Sequence, residues 1–277
     1  MRMKIKCIAL DLDRTTLNSD GYMSQANRDA LEAAIDAGIH IVVASGRSLD
    51  SLPEDILSIE GIRYAITSNG AAVYDIRSGE CLRQYKLTAD SVRAILRYTE
   101  KEEVSFEAFI NGKPYAEARY VSDPVRFGAA PRAISYIQRT RTPVEDMKKF
   151  ILDHSSELES IDVVVKGEEL KERLWKTLKN YVADVYITSS VPQLLEISYR
   201  ESGKDSGAKF LLDRLGLKRE ELAAFGDGDN DAGLLAFAGA GFAVANASEA
   251  CRKAADQIVP SNDADGVAQG IRMILVQ

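Results

Sequence analysis

Two aspartates two residues apart, Asp11 and Asp13, stand at the end of the first apolar run, Ile5 to Leu10, and open the stretch Asp11-Leu12-Asp13-Arg14-Thr15-Thr16-Leu17. Alternation in an extended segment puts both carboxylates on one side. A buried strand has no use for two charges unless something offsets their desolvation and mutual repulsion. A cation does so, reached by Asp11 through its side chain and by Asp13 through a side chain or a carbonyl. A second acidic knot, Gly226-Asp227-Gly228-Asp229-Asn230-Asp231, follows another apolar run, Leu222 to Phe225. Its alternating acids resemble a calcium loop, but Ala232 stands where that loop needs glycine and Ala238 where it needs a bidentate glutamate. A hard cation shared between Asp227 and the Asp11/Asp13 pair, with water completing its shell, fits magnesium instead. The two knots are distant in the chain and meet only if their strands are parallel neighbours.

Two further stretches suit phosphate chemistry. Ser45-Gly46-Arg47 follows an apolar strand and offers a hydroxyl and exposed amide donors to a phosphate oxygen. Lys204, in Gly203-Lys204-Asp205-Ser206, can place a point charge beside a phosphoryl group. The three-glycine dinucleotide fingerprint and the nucleotide-hydrolase phosphate loop are both absent. His40 and His154 have no partner at ligand spacing, which disfavours zinc chemistry and imidazole-based hydrolysis. Arg139-Thr140-Arg141 reads as a solvated face, with contact to an anionic substrate as the alternative, and Tyr115, Tyr120, Tyr136, Trp175 and Tyr181 as packing residues.

The elements that must position these residues follow a parallel-sheet grammar at both ends of the chain. Ser24 caps a predicted helix through about Ala37, with Ala30, Leu31, Ala34 and Ile35 at helical spacing and Gly38 closing it. Ile39 to Ala44 and Tyr64 to Thr67 read as strands, with a helical stretch from about Leu49 between them. Tyr64 to Thr67 runs into the loop Ser68-Asn69-Gly70-Ala71. Later, Ser206 to Leu215, Ala232 to Phe237 and Gly266 to Leu275 read as helices, and Leu222 to Phe225, Gly241 to Val244 and Gln257 to Val259 as strands. Polar residues at the carboxyl ends of the strands place a site on that edge. From residue 83 the grammar changes to hairpins beside helices. Val104 to Ile110 pairs with Tyr115 to Tyr120, Pro143 to His154 reads as a helix, and strand and helix then alternate through Ile161 to Val165 and Glu168 to Leu178. The expected organisation is an α/β core of residues 1–82 and 192–277 with an inserted α+β domain at 83–191.

The chain of 277 residues carries 35 Lys and Arg against 42 Asp and Glu, a net charge of -7. That acidity disfavours a general nucleic-acid surface. Cys7, Cys81 and Cys251 are scattered without metal spacing, as expected of a protein in a reducing cytoplasm. Met1-Arg2-Met3-Lys4 leads into the first strand without a signal-peptide core, and no apolar run is long enough for a membrane span. Monomer and homodimer are both compatible with this composition.

Four pieces in one order, Asp11-x-Asp13-x-Thr15, Ser45-Gly46-Arg47, Lys204 and Gly226-Asp227-x-x-Asn230-Asp231, resemble the haloacid dehalogenase superfamily of phosphatases. The nearest likeness is its Cof-type branch, which carries a large α/β cap, and the tail Asn262-x-x-Asp265-Gly266-Val267-Ala268 extends it over essentially the whole chain. The resemblance implies a Rossmann-like parallel sheet core with the insertion as a cap that sets substrate specificity. It implies a magnesium-dependent phosphomonoester hydrolase acting on a small phosphorylated metabolite, a sugar phosphate foremost. Asp11 would be the nucleophile and Asp13 the general acid and base, with its carbonyl on magnesium. Lys204 would neutralise charge, and Asp227 would ligate the metal with Asp11 and Asp13. Ser45, Gly46, Arg47, Asn69 and Asn230 would bind phosphate or substrate, with Thr15, Asp231 and Arg14 in support. Arg14 departs from the glycine usual after the second aspartate, and Ala245 from a later glycine. A phosphoryl transferase or mutase using the same intermediate is the alternative enzyme, and a weakly active metabolite-binding regulatory protein the alternative outside catalysis.

Overall fold

The computed structural model describes residues 4–276; Met1, Arg2 and Met3, ahead of the first strand, lie outside the described residues. In chain order the strands are β1 (Cys7–Leu10), β2 (His40–Ala44), β3 (Tyr64–Thr67), β4 (Ala72–Asp75), β5 (Glu80–Gln84), β6 (Val104–Ile110), β7 (Lys113–Glu117), β8 (Thr142–Val144), β9 (Leu158–Val165), β10 (Val185–Thr188), β11 (Leu194–Tyr199), β12 (Leu222–Gly226), β13 (Ala240–Val244) and β14 (Gln257–Val259). They form two sheets. One runs β14-β13-β12-β1-β2-β3-β4-β5 and the other β10-β11-β9-β6-β7-β8. The chain divides accordingly into two compact units. The described residues of Met1–Arg47, Leu52–Arg83 and Gly203–Gln277 make the first, and Ser48–Ser51 with Gln84–Ser202 the second. The insertion therefore ends at Ser202 rather than at 191, because β11 pairs antiparallel with β9 and β10 and completes the second sheet.

In the first unit β1 lies between β12 and β2, both parallel to it, with Leu10 opposite Phe225 on one side and Val43 on the other. Every residue of β1 is buried, as expected of a strand covered on both faces. Strands β14 through β3 are all parallel, but β4 returns antiparallel along β3, so the sheet is mixed. The reversal is made by three successive residues at positive φ, Ser68 (47°), Asn69 (52°) and Gly70 (90°). The run Ala71-Ala72-Val73-Tyr74 carries no turn signal of its own, which is why β4 does not announce itself in the sequence. The helix Gln25–Asp36 is opened by Ser24, whose side chain accepts from the Asn27 amide. Buried Asn27 donates to the Thr16 carbonyl (3.0 Å) and accepts from the Ala268 amide (2.9 Å), tying the loop after β1 to the helix Gly266–Leu275. The helical stretch expected from Leu49 is only the turn Leu49–Ser51 and the short helix Glu54–Leu57, with Pro53 between them.

In the second unit the helices Ala89–Thr99, Met147–Asp153 and Glu168–Tyr181 share a core with Phe106, Ala108, Ile161, Val163, Leu195 and Ile197 from one sheet face. Two expected elements are redrawn. Strand β7 stops at Glu117 and residues Ala118–Ser122 are helical. The helix expected from Pro143 begins only at Met147, where Asp146 accepts from the Lys149 amide, while Thr142–Val144 pairs with β7. Pro143 suits an edge strand better than a helix interior.

The opposite sheet face carries a row of acids, because the register sets Asp162 directly across from both Glu107 and Glu196. All three are buried, as is Arg141, which donates to Glu107 Oε2 from Nε (3.0 Å) and Nη2 (2.8 Å). Arg141 is thus an internal counter-ion and not part of a solvated face. Ser190 serves Glu196 through its amide and hydroxyl. Burial, with Glu196 and Glu107 adding repulsion, pushes the Asp162 carboxyl well above the usual carboxylate range. Arg141→Met is expected to destabilise this unit by about 3–5 kcal/mol, because it strands a buried Glu107 charge. Urea unfolding followed through Trp175, the single tryptophan, measures it, with Arg141→Lys recovering part of the loss. A loss below about 1 kcal/mol would contradict the pairing.

Candidate active site

The Asp11 amide donates to the Phe225 carbonyl (3.0 Å), prolonging the β1–β12 ladder by one bond before the chains part. Asp11 and Asp227 therefore leave neighbouring parallel strands at the same sheet edge, which is the topology that sharing a cation requires. Lys204, 1% exposed, donates from Nζ to Asp11 Oδ1 (2.7 Å) and to Asp231 Oδ1 (2.6 Å). The other Asp231 oxygen accepts the amides of Asp227 (3.0 Å) and Gly228 (2.9 Å). Asp231 has both oxygens engaged, so it positions Lys204 and the turn. Thr15 donates its hydroxyl to Asp227 Oδ1 (3.3 Å). One oxygen from each of Asp11, Asp227 and Asp231 lies within 4.8 Å of the others.

Between these anchors, Asp13 is extended (φ −69°, ψ 122°) and Arg14 left-handed (φ 63°, ψ 10°). Such a backbone costs a side-chain-bearing residue about 1–2 kcal/mol. It is held by Asn246, whose side-chain amide donates to the Arg14 carbonyl (2.8 Å), and by Thr16, whose hydroxyl donates to the Asp11 carbonyl (2.6 Å). The Asp13 carboxylate turns away from the acid cluster. It is 54% exposed and takes a bidentate pair from Arg47, Nε at 2.8 Å and Nη2 at 2.6 Å. The Asp13 carboxylate is thus committed to Arg47 and is not among the clustered oxygens.

The remaining predicted residues are joined by the left-handed turn after β3. The amide of Asn69 donates to the Ser45 carbonyl (3.1 Å), and its own carbonyl accepts from Gly203 (2.9 Å). Its side-chain oxygen accepts from Asn230 Nδ2 (3.0 Å). Asn69 thus links the end of β2, the residue before Lys204 and the second acidic turn. A Cβ on Gly70 would stand 2.0 Å from the Gly203 carbonyl oxygen, at φ +90°. Only glycine allows that approach. Ser45 is 1% exposed and its hydroxyl accepts from the Arg47 amide (3.2 Å), which orders the Ser45-Gly46-Arg47 turn. Two contributors escape sequence reasoning. Asn246 holds Arg14, and Ser248 donates its amide to the Asp227 carbonyl (2.8 Å) and its hydroxyl to Asp229 (2.6 Å). Both follow the apolar run of β13 at the same edge, and that was the signal available.

The charges are unbalanced. Three buried carboxylates face one buried ammonium. Burial, then repulsion from Asp231, pushes Asp11 well above the usual carboxylate range, and the same causes raise Asp227 to about 7. Burial works against the Lys204 charge, but Asp11 and Asp231 outweigh it and hold the ammonium above its ordinary value. Among the described residues, Asp11 Oδ2 and Asp227 Oδ2 accept no hydrogen bond. An unbonded Asp11 oxygen and an Asp227 oxygen met only by Arg14 Nε at 3.6 Å, beside a satisfied third acid, fit a hard divalent cation.

This imbalance gives a pH dependence. With Asp227 raised, the folded cation-free protein holds more protons than the unfolded chain between pH 3.8 and about 7. The group's contribution to stability therefore falls as pH rises through that window. A cation bound to the ionised carboxylates reverses the loss. The rise in melting temperature on adding magnesium is expected to be larger near pH 8 than near pH 5.5, a window set by this linkage. Equal rises at the two pH values would refute Asp227 as a cation-facing group.

Comparison with known proteins agrees with this geometry. The sequence model of the haloacid dehalogenase-like hydrolases matches residues 8–271. Phosphatase YwpJ of Bacillus subtilis (strain 168) is 33% identical over 292 residues, 98% of this chain and 100% of that protein. The 5-amino-6-(5-phospho-D-ribitylamino)uracil phosphatase YcsE of the same organism is 28% identical over 268 residues, 97% of this chain and 95% of that one. A solved haloacid dehalogenase-like hydrolase from Bacteroides thetaiotaomicron superposes with a TM-score of 0.80 at 28% identity, covering 98% of this chain and 100% of that one. Since the match takes in both acidic knots, the lysine between them and the sheet that carries the two knots, the chain belongs to the haloacid dehalogenase-like hydrolases and is an enzyme of their Cof-type phosphatase branch.

Proposed function

We propose that this enzyme is a magnesium-dependent phosphomonoester hydrolase that works through an aspartyl-phosphate on Asp11. The observation that carries the reading is the state of Asp11. One oxygen is anchored by Lys204 at 2.7 Å and the other is open at the end of β1. Asp11 Oδ2 attacks phosphorus, and the bond from phosphorus to the ester oxygen breaks. Asp13, oriented by Arg47, gives its proton to the departing alkoxide and then takes one from the water that attacks the phosphoenzyme. Phosphate leaves and the Asp11 carboxylate is restored. Magnesium, held by Asp11, Asp227 and the Asp13 carbonyl, would supply charge to the transferring phosphoryl oxygens. Lys204 opposes the same charge, and Ser45, the amides of Gly46 and Arg47, Asn69 and Asn230 hold the phosphoryl group.

The substrate in this reading is a small phosphorylated metabolite, sugar-like in its leaving group. Three relatives support it by name, YcsE, YwtE and YitU, at 28%, 27% and 25% identity, each a 5-amino-6-(5-phospho-D-ribitylamino)uracil phosphatase. Selectivity for the leaving group falls to the second unit. The free cysteines Cys7, Cys81 and Cys251 favour a cytoplasmic setting, with the enzyme as monomer or homodimer.

Phosphate release from a panel of sugar, polyol and nucleoside monophosphates tests the proposal. Chelation and Asp11→Asn are each expected to abolish release, and Asp13→Asn to lower kcat by about 10²–10⁴. An Asp11→Asn enzyme at the parent rate would overturn the nucleophile assignment. Silence across the panel, with ligand binding retained, would favour the binding-protein reading.

A further inference from the structure

The cation reading leaves Arg14 unexplained. Its left-handed backbone would suit glycine better, yet the turn is braced around it. Asn246 Nδ2 donates to its carbonyl (2.8 Å), and the Asn246 side-chain oxygen in turn accepts the Asn262 amide (3.0 Å). The loops after β1, β13 and β14 therefore hold this residue together. The side chain is directed as well. Nη2 approaches the Asn246 carbonyl (3.5 Å) and Nε stands 3.6 Å from Asp227 Oδ2. Asp227 Oδ1 is occupied by Thr15, so Oδ2 is the oxygen with free lone pairs, and it is the one that the guanidinium faces.

We infer that Arg14 is an internal counter-ion that competes with the divalent cation for Asp227 Oδ2 and so sets the cation affinity of the site. The inference rests on the cation reading given above. With Asp11, Asp227 and Asp231 ionised, Lys204 leaves two negative charges uncompensated, and Arg14 removes one of them. A divalent ion entering the site meets a less negative field and must displace the guanidinium from Oδ2. Guanidinium is permanently charged, so the Arg14 side of this competition does not titrate. The Arg14 side chain is 47% exposed and its ion pair with Asp227 is screened, so the effect is moderate rather than absolute. Arg14 acts through Asp227 and is a positioning residue.

Calorimetric titration of the full-length protein with magnesium chloride tests this without reference to turnover. Arg14→Asn removes the charge while keeping a residue that tolerates the left-handed backbone. It is expected to bind magnesium about three- to tenfold more tightly than the parent, from the loss of one nearby screened charge. Arg14→Lys, which restores a cation, is expected to return affinity to within about twofold of the parent, on the same screened-charge scale. The magnesium concentration for half-maximal activity should move by the same factor as the affinity. Unchanged or weaker binding in Arg14→Asn, while Asp227→Asn loses binding, would overturn the role of Arg14 and leave the cation site standing. No magnesium binding by the parent, Arg14→Asn or Arg14→Lys would overturn both together.

Discussion

The buried ammonium of Lys204, held between Asp11 at 2.7 Å and Asp231 at 2.6 Å, is the interaction on which the catalytic edge depends. Carboxylates at the ends of two adjacent buried strands repel one another, and burial raises the cost of charging them. Lys204 offsets that cost only in part, and only because the chain brings it in from the opposite direction. The left-handed turn at Ser68 to Gly70 accepts the Gly203 amide on Asn69, and so sets the first residue of the helix Lys204–Leu215 beneath both acids. Asp231 uses its second oxygen to tie down the turn that carries Asp227. One cation, two strand ends and one unusual turn are thus a single arrangement, and each part loses its reason without the others.

The molecule handles buried acids in two ways, and the contrast lies in how far each cluster is compensated. In the second unit the row Glu107, Asp162 and Glu196 is fully compensated. Arg141 pairs with Glu107, Ser190 serves Glu196, and Asp162 is driven towards its neutral form. In the first unit compensation stops short, because one buried ammonium serves three acids, Asp11 keeps an open oxygen, and Asp227 Oδ2 meets only the half-exposed Arg14 guanidinium at 3.6 Å. A purely structural cluster gains nothing from that deficit. Under the proposed function that deficit is what draws a divalent cation, since a fully neutralised cluster would attract none.

The two arginines beside the site divide along the same line. Arg47 is mostly covered and gives a bidentate pair to Asp13, fixing a half-exposed carboxylate in one orientation. Arg14 is half exposed and stands off Asp227 at 3.6 Å, close enough to bias the local field without a hydrogen bond. Guanidinium geometry suits the first task and permanent charge the second.

The sequence by itself determined which residue types could do phosphoryl chemistry and where along the chain they stand. Asp11, Asp13 and Asp227 are legible because charged residues directly after apolar runs break a local pattern, and local patterns are what a linear sequence records; Lys204, in the polar stretch Gly203-Lys204-Asp205-Ser206, is legible only as one of four motifs standing in one order. The parallel core was legible for the same reason, since uninterrupted apolar runs such as Ile39 to Ala44 signal strands covered on both faces. Only the tertiary structure decided who meets whom. The reversal into β4, the pairing of β11 into the second sheet, the burial of Arg141 on Glu107 and the bidentate hold of Arg47 on Asp13 all join residues whose local surroundings look ordinary. Asn246 is the sharpest case, because its contact with Arg14 spans 232 positions and leaves no trace in the residues on either side. Hydrogen bonds and ion pairs are satisfied by partners in space, whereas periodicity and capping are satisfied by neighbours in the chain, and a single sequence displays the second kind alone.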